Sequence, residues 1–597
     1  MDIKNLEKVR HSLAHILAMA VQELHPKAKL GMGPAIENGF YYDFALPAKA
    51  SGEGGIGTFV QDDLPKIEAK MREIIEQDIV FKKSLVSKEE AEKLFKNQPY
   101  KKELIKELKE KKATIYKSGD FVDLCKGPHI KTTLQLYSGQ ALQLYSGQAK
   151  ETPIDGFKLT KIAGAYWRGD EKNKMLSRIY GVAFENKKDL GDYLKRQIEA
   201  EKRDHRALGE KLDLFSFHSE APGSVFWHPK GMIIWNELEK FGKSLRKKYE
   251  SQEIQTPQLA KKILWEKSGH WDHYKDSMFY FDVEKETYCL KPMDCPFNIK
   301  IYQTKIRSYK ELPIRYTEIG RVLRNEKSGE LFGLFRVRSV TQDDAHIFVA
   351  EEQIEKEISL LLGMVKEYYK AFGIKPEFFL STRPEDFIGE IPTWNKAEAN
   401  LKSALKKEKI VYGIKEKDGA FYGPKIDINI KDALGRSWQL ATILLDFQLA
   451  KRSNAEYIDK SGKKKNPVMI HAAIFGSFER FIGILLEHYA GALPFWLSPV
   501  QVIILPISDK HIDYSEKIKE KLSNKDFRVE LKGENETLSK KILEAETQKI
   551  PYIVVVGDRE IKENKVSLRE RGKGNIGSVF LDKLIEILEE KRENKGK

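Results

Sequence analysis

The chain has 597 residues, 41% hydrophobic and 32% charged, with a net charge of +14; at roughly 100–200 residues per domain this predicts three or four globular domains. The charge suits a polyanionic partner without locating it, because no segment forms a basic tail. The longest apolar runs, such as Val500–Leu505, fall far short of the ~18 residues that cross a bilayer, the first residues lack a secretory apolar core, and Cys125, Cys289 and Cys295 make no disulfide framework, so a membrane protein, a secreted module and a fibre are excluded and a cytoplasmic location is expected.

In chain order, the first element is a helix. Leu13, Ile16, Leu17, Ala20, Val21 and Leu24 form a helical apolar stripe, and His11 and His15, four apart, share the face beside it. Gly31–Pro34 and Glu37–Gly39 mark turns before a strand at Phe40–Phe44. Residues 48–58 predict a loop. Within it Gly52–Gly57 matches the spacing G-x-G-x-x-G, but no strand precedes it and no acidic residue follows in a βαβ context, so a dinucleotide site is rejected. Residues 134–141 recur directly at 142–149, one tandem duplication that predicts a lengthened surface loop or hairpin. Residues 185–212, rich in Lys, Arg and Glu, predict an exposed linker helix. Gly242-Lys243-Ser244 ends like a P-loop, yet Glu237 stands where the first glycine is required. After Leu497-Ser498-Pro499, the β-rich runs Val500–Leu505, Arg528–Leu531 and Tyr552–Asp558 alternate with charged helical patterns and predict a compact α/β domain.

Several groups could carry chemistry. His11, His15, Cys125 and His129 could bring three imidazoles and a thiol to one point, able to ligate zinc or to orient water at an ester; packed histidines on a helix flank are the competing reading. Arg321–Glu326 and Phe335–Arg338 predict a hairpin presenting guanidinium groups, which suit phosphate and carboxylate oxygens; an ion-paired sheet face competes. Gly476–Glu487 predicts an apolar helix whose Arg480 meets an anion, either Glu479 or a ligand. Cys295, His346 and His471, spaced by 51 and 125 residues, have no local zinc signature, and spacing alone argues against a shared metal.

Through His11–His15, Asp123–His129, Gly164–Asp170, Arg321–Glu326, Thr341–His346 and Gly476–Arg480, the chain resembles the threonyl-tRNA synthetase family of class II aminoacyl-tRNA synthetases over nearly its whole length. The resemblance implies an α+β multidomain fold: an α+β editing domain at 1–184, a linker helix at 185–203, a class II catalytic domain at 204–494 with an antiparallel sheet and flanking helices, and an α/β anticodon-binding domain at 495–597. The ubiquitin-like domain that often opens the family is expected to be missing. Pro257 would be the motif 1 proline of a homodimer.

The implied activity joins L-threonine to ATP as threonyl-adenylate and passes the threonyl group to the 3′ end of tRNA(Thr). By resemblance Arg324 clamps the α-phosphate and the threonine carboxylate, Glu326 and Arg336 hold ATP, and Arg480 stacks on adenine. Gln439, Thr442 and Ser477 sit at ATP-contact positions, Mg²⁺ accompanies ATP, and His270 lies near the terminal ribose of the tRNA. Cys295, His346 and His471 match the ligands of one Zn²⁺, with Gln342, Asp344 and Tyr422 around the threonine. A metal that demands a hydroxyl rejects valine, which an apolar pocket rejects poorly, but it does not reject serine. That motivates an editing site of His11, His15, Cys125 and His129, with Asp123 and Lys101 as neighbours, hydrolysing seryl-tRNA(Thr) through positioned water and without a metal. Asn535, Glu560 and Arg569 match anticodon contacts. Val340, Leu444, Ala472 and Leu543 depart from residues common in the family. An RNA-binding regulator that has kept the fold without catalysis is the alternative.

Overall fold

The computed structural model describes residues 3–47, 58–133, 156–170, 172–432, 435–534 and 536–595; the G-x-G-x-x-G stretch, the duplication at 134–149 and Asn535 lie outside the described residues. The chain divides into two compact units, Met1–Ile198 and Glu199–Lys597.

In the first unit the opening helix spans Ile3–Leu24, longer at its start than the stripe predicted. Its stripe buries Leu13, Ile16, Leu17 and Val21 completely in a core shared with Phe40, Tyr42 and Phe44. Those aromatics alternate along the strand Gly39–Ala45, which pairs antiparallel with Met175–Ala183, itself paired with Phe157–Tyr166. Glu37 and Asn38 close a hairpin between Ala35–Ile36 and Gly39–Ala45, as the turn signal predicts. A second sheet joins Phe81–Ser87, Lys112–Ser118 and Phe121–Leu124, and the segment Cys125–His129 leaves its last strand. Gly127 there has φ +75, and a Cβ on it would stand 2.3 Å from the Tyr116 hydroxyl, so only glycine fits this turn.

The predicted linker helix of 185–212 is two helices, Lys187–Arg203 and His205–Lys211. The break has a local cause: the Asp204 side chain accepts the Arg206 N–H and caps the second helix.

In the second unit an eight-stranded sheet runs in the order Gln252–Glu253, Ile314–Leu323, Ser339–Val349, Val468–Ser477, Ser437–Asp446, Lys425–Lys431, Glu377–Ser381, Tyr412–Lys415. All its pairs are antiparallel except the first and the last. Helices Pro229–Lys248, Ile354–Lys370, Ile391–Lys407 and Phe478–His488 contribute their buried faces to its large core. Gly242–Ser244 lies inside the first of these helices, where no phosphate-cradling loop exists. The predicted arginine hairpin needs correction. Pairing of Ile314–Leu323 with Ser339–Val349 ends at Leu323 opposite Ser339, so Arg324–Glu326 and Phe335–Arg338 belong to the connecting loop. That loop folds back on itself because Phe332 and Arg336 bond each other's backbone at 3.1 and 3.2 Å.

At the end of Val468–Ser477, Gly476 takes φ +74, and a Cβ on it would lie 2.2 Å from the Leu440 carbonyl oxygen. The chain then turns directly into Phe478–His488, capped by Ser477, whose hydroxyl accepts the Arg480 N–H at 3.1 Å. This corner fixes Arg480 at the end of the sheet. The C-terminal sheet, in the order Val529–Leu531, Val502–Pro506, Tyr552–Val556, Lys565–Glu570, Gly574–Phe580, starts parallel and ends antiparallel, matching the predicted α/β region.

Candidate functional sites in the two units

The central strands of the eight-stranded sheet floor a cavity of ~460 Å³ lined by Arg324, Glu326, Arg336, Gln439, Thr442, Ser477 and Arg480 at one end and by Cys295, Gln342, Asp344, Tyr422 and His471 at the other. Residues predicted from distant parts of the chain therefore meet. Arg336 is held by Glu326 at 2.9 Å and by Glu330 at 2.6 Å, while the Arg324 guanidinium donates, among the described residues, only to the Pro292 carbonyl, at 3.4 Å. The Arg480 guanidinium donates to two neutral carbonyls, Phe335 and Gln439, both at 2.9 Å. Burial lowers its pKa, and Arg324 and Arg336 lower it further. Three guanidinium groups share this end of the cavity with a single lining carboxylate, Glu326, an arrangement suited to a phosphate chain. Val340, Leu444 and Ala472, departures from common residues, line the same space.

Glu479 is not the partner of Arg480. Both its carboxylate oxygens accept the Thr341 backbone N–H, at 3.1 and 3.0 Å. Burial pushes its pKa up to about 7, against the pull of those bonds and of Arg321. The native protein thus keeps a proton on Glu479 that the unfolded chain releases near pH 4.5, so its contribution to stability is complete below that pH and is lost as pH rises towards about 7. Relative to wild type, Glu479→Gln is therefore expected to gain about 3 kcal/mol in denaturant-melt stability between acid and neutral pH. Equal pH slopes for the two proteins would refute this.

At the other end, Cys295 opens the helix Cys295–Tyr302, and His346 and His471 are directly opposite each other on paired strands. Their ligand atoms lie within 4.8 Å of one another. Among the described residues His346 Nε2 and His471 Nδ1 are buried without a hydrogen-bond partner, whereas His471 Nε2 meets the Asp446 carboxylate at 3.0 Å. That contact places the proton on Nε2 and leaves the Nδ1 lone pair free for a metal. Two orphaned imidazole nitrogens and a thiol fit Zn²⁺ with an open position. Sequence spacing argued against this trio; strand register pairs the two histidines, and the start of the helix Cys295–Tyr302 brings the thiol to them. Burial and the neighbouring Asp294 push the Asp344 carboxyl well above its usual range, and Tyr422 packs 5.4 Å from the His471 ring. His270 is fully buried, its ring 5.9 Å from that of Tyr422 and its Nε2 unpartnered; it stands behind the cavity wall.

The first unit holds a second cavity, ~980 Å³, lined by His11, His15, Lys101, Asp123 and Cys125 among others. Cys125 Sγ lies 3.2 Å from His11 Nε2 and 3.3 Å from His129 Nε2. His11 Nδ1 faces the Pro128 carbonyl at 3.2 Å, and His129 Nδ1 faces Ser12 Oγ, which already donates to the Lys8 carbonyl. Both rings therefore carry their proton on Nδ1 and aim Nε2 lone pairs at the thiol. Asp123 is gripped by Lys101 at 2.5 Å and by the Tyr42 hydroxyl at 2.7 Å, with His15 Nε2 at 3.5 Å. Burial lowers His11, lowers His15 strongly and pushes His129 down to about 2, while it raises Cys125 to about 11. Near neutral pH this gives neutral imidazoles around a thiol, of which His11, the less strongly lowered ring at the cavity wall, is the better placed to accept a proton from water.

In the last sheet's domain, Glu560 accepts the Gly557 N–H at 3.0 Å and caps Asp558–Glu563, Arg569 pairs with Glu546 at 3.5 Å, and Leu543 is 63% exposed; Asn535 lies outside the described residues. Sequence reasoning missed Asp446, Lys425 and Asp427. A signal existed for the last two: Lys425-Ile426-Asp427-Ile428-Asn429-Ile430 alternates polar and apolar residues, which puts both charges on one face of a strand.

Residues 278–489 match the family described as tRNA synthetase class II core domain (G, H, P, S and T), and residues 501–591 match the anticodon binding domain. The threonine–tRNA ligase of Carboxydothermus hydrogenoformans is 48% identical, over 99% of this chain and 90% of that protein. That of Caldanaerobacter subterraneus is 49% identical, over 97% of this chain and 86% of its own length. Among solved structures, the RNA binding domain of threonyl-tRNA synthetase from Cryptosporidium parvum superposes with a TM-score of 0.63 at 42% identity, covering 65% of this chain and 98% of that one.

Proposed function

The chain belongs to the threonine–tRNA ligase family, and from that membership we propose that it activates L-threonine with ATP and transfers the threonyl group to the 3′ end of tRNA(Thr). It is an aminoacyl-tRNA synthetase with a class II core and an anticodon-binding domain. The observation that carries the proposal is one cavity with a triple-arginine end and a Cys–His–His end.

Activation needs the threonine carboxylate to attack the α-phosphorus while pyrophosphate leaves. Negative charge grows on the phosphoryl oxygens, and fixed cations aimed there lower the barrier. Arg324 is free to turn to the α-phosphate and the attacking carboxylate, Glu326 and Arg336 form a ready-made clamp for ATP, whose phosphates bring Mg²⁺, and Arg480 is braced by carbonyls to lie against adenine. Gln439, Thr442 and Ser477 complete the nucleotide wall. Zn²⁺ held by Cys295, His346 and His471 would supply a Lewis-acid centre for the threonine hydroxyl and amine. Gln342, Asp344 and Tyr422 orient the amino acid beside it. In transfer a terminal ribose hydroxyl of the tRNA would attack the threonyl carbonyl, the anhydride C–O bond would break, and AMP would leave with the hydroxyl proton taken up on its phosphate; His270, buried behind the cavity wall, would stand near that ribose.

The cavity of the first unit supports proofreading. A thiol raised to about 11 is a poor nucleophile at neutral pH, which favours water, giving its proton to His11 at the cavity wall, as the group that attacks the seryl ester; the C–O bond to the ribose breaks and the ribose hydroxyl recovers a proton. For quaternary structure we favour a homodimer: near Pro257 the side chains of Leu259, Ile263, Tyr280, Phe281 and Val283 stay exposed around one small sheet, a patch that calls for cover. Glu560 and Arg569, with Asn535, are the proposed anticodon contacts. Purified protein given ATP, tRNA(Thr) and labelled amino acid tests the whole reading. Threonyl-tRNA should accumulate, valyl-tRNA should not form, and seryl-tRNA should be transient; stable seryl-tRNA would remove the editing part, and no threonyl-tRNA would remove the rest.

A further inference from the structure

We propose that Asp427 is a positioning residue of the nucleotide pocket: its buried carboxylate decides which face of the Gln439 amide, and which placement of Lys425 and Thr442, a bound nucleotide meets. This rests on the reading of the cavity as an ATP site.

Asp427 is completely buried and lies opposite Thr442 on paired strands. It is outside the cavity, while Lys425, Gln439 and Thr442 line it. Oδ1 accepts Gln439 Nε2 at 2.6 Å and the Thr442 hydroxyl at 3.4 Å. Oδ2 accepts the Ser381 hydroxyl and Lys425 Nζ, each at 2.7 Å. One acceptor-only group thus gathers four donors, three of them from the cavity wall.

The consequence is clearest at Gln439. An amide has nearly the same shape whichever way it is flipped, so shape alone leaves its orientation open. Here Nε2 spends its hydrogens on Asp427 Oδ1 and on Thr442 Oγ, 2.8 Å away. The oxygen is the end left for a ligand. The pocket therefore offers a fixed acceptor, suited to a ribose hydroxyl, and a fixed ammonium on Lys425, suited to a phosphate or carboxylate oxygen.

Asp427→Asn keeps the volume but sets an NH₂ group against donors, which favours a flipped or displaced Gln439. In threonine-dependent ATP–pyrophosphate exchange its KM for ATP should rise about tenfold, with the KM for threonine within about twofold of wild type. The charge-conserving double variant Asp427→Asn/Gln439→Glu restores donor to acceptor, the new amide donating to the new carboxylate. It should return the KM for ATP to within about threefold of wild type, whereas Gln439→Glu alone, placing two carboxylates together, should raise it. A residue that merely stabilises the sheet would lower the thermal midpoint and kcat in Asp427→Asn without rescue by the double variant. The proposal is overturned by an unchanged KM for ATP in folded Asp427→Asn, or, should that variant not fold, by a double variant that neither folds nor recovers the KM. Absence of exchange in wild type would instead overturn the reading of the cavity, so the two failures are distinguishable.

Discussion

Arg324→Ala is expected to lower kcat/KM for threonine-dependent pyrophosphate exchange by about 10³-fold. Arg324 has the least internal commitment of the three cavity arginines: its one side-chain hydrogen bond among the described residues, to the Pro292 carbonyl, is 3.4 Å long. By contrast Arg336 is ion-paired twice and Arg480 is braced by two carbonyls at 2.9 Å. A guanidinium with little to do in the resting protein can give its full strength to charge that appears in the transition state. The fold should survive, since little is lost when this side chain is removed. Arg324→Lys should recover only a small part of the rate, because a point charge does not reproduce a two-pronged fork. Exchange kinetics beside a thermal melt decide the matter; a loss below about tenfold would show that Arg324 is not at the reacting phosphate.

The second large effect belongs to the first unit. His11→Ala/His15→Ala should cut hydrolysis of seryl-tRNA(Thr) by about 10²-fold or more, so that seryl-tRNA accumulates while threonylation continues. Removing His11 takes away one of two lone pairs aimed at Cys125, and removing His15 uncovers the Asp123–Lys101 pair. The synthetic residues all lie in the other unit, which makes threonylation an internal control for intact protein. A circular-dichroism melt checks that the smaller unit stays folded. Deacylation at the wild-type rate would sink the proofreading reading.

Legibility in the sequence followed the range of the interactions. The helix carrying His11 and His15 was visible because its stripe repeats locally, and the C-terminal strands because their apolar runs are short and bounded. The union of Cys295, His346 and His471 was not visible from spacing. His346 and His471 become neighbours only when Ser339–Val349 pairs with Val468–Ser477 in one register, and no local pattern encodes that choice; family resemblance supplied it. The arginine hairpin became a folded loop because pairing stops at Leu323 and Ser339, a boundary set by tertiary packing. Of the two anions expected for Arg480, Glu479 turns to the Thr341 N–H instead, and the half-buried guanidinium, braced by two backbone carbonyls, faces the cavity. Composition alone carried the linker helix to 212, past the capping residue Asp204, whereas the bounds implied by the resemblance, 185–203, stop just before it.

The central claim is that the larger unit is a threonine-activating site, and ATP–pyrophosphate exchange by zinc-replete protein measures that without involving tRNA or editing. The account predicts exchange that depends on threonine, is weaker with serine and is near background with valine. Folded protein carrying one zinc per chain and showing no threonine-dependent exchange would contradict it.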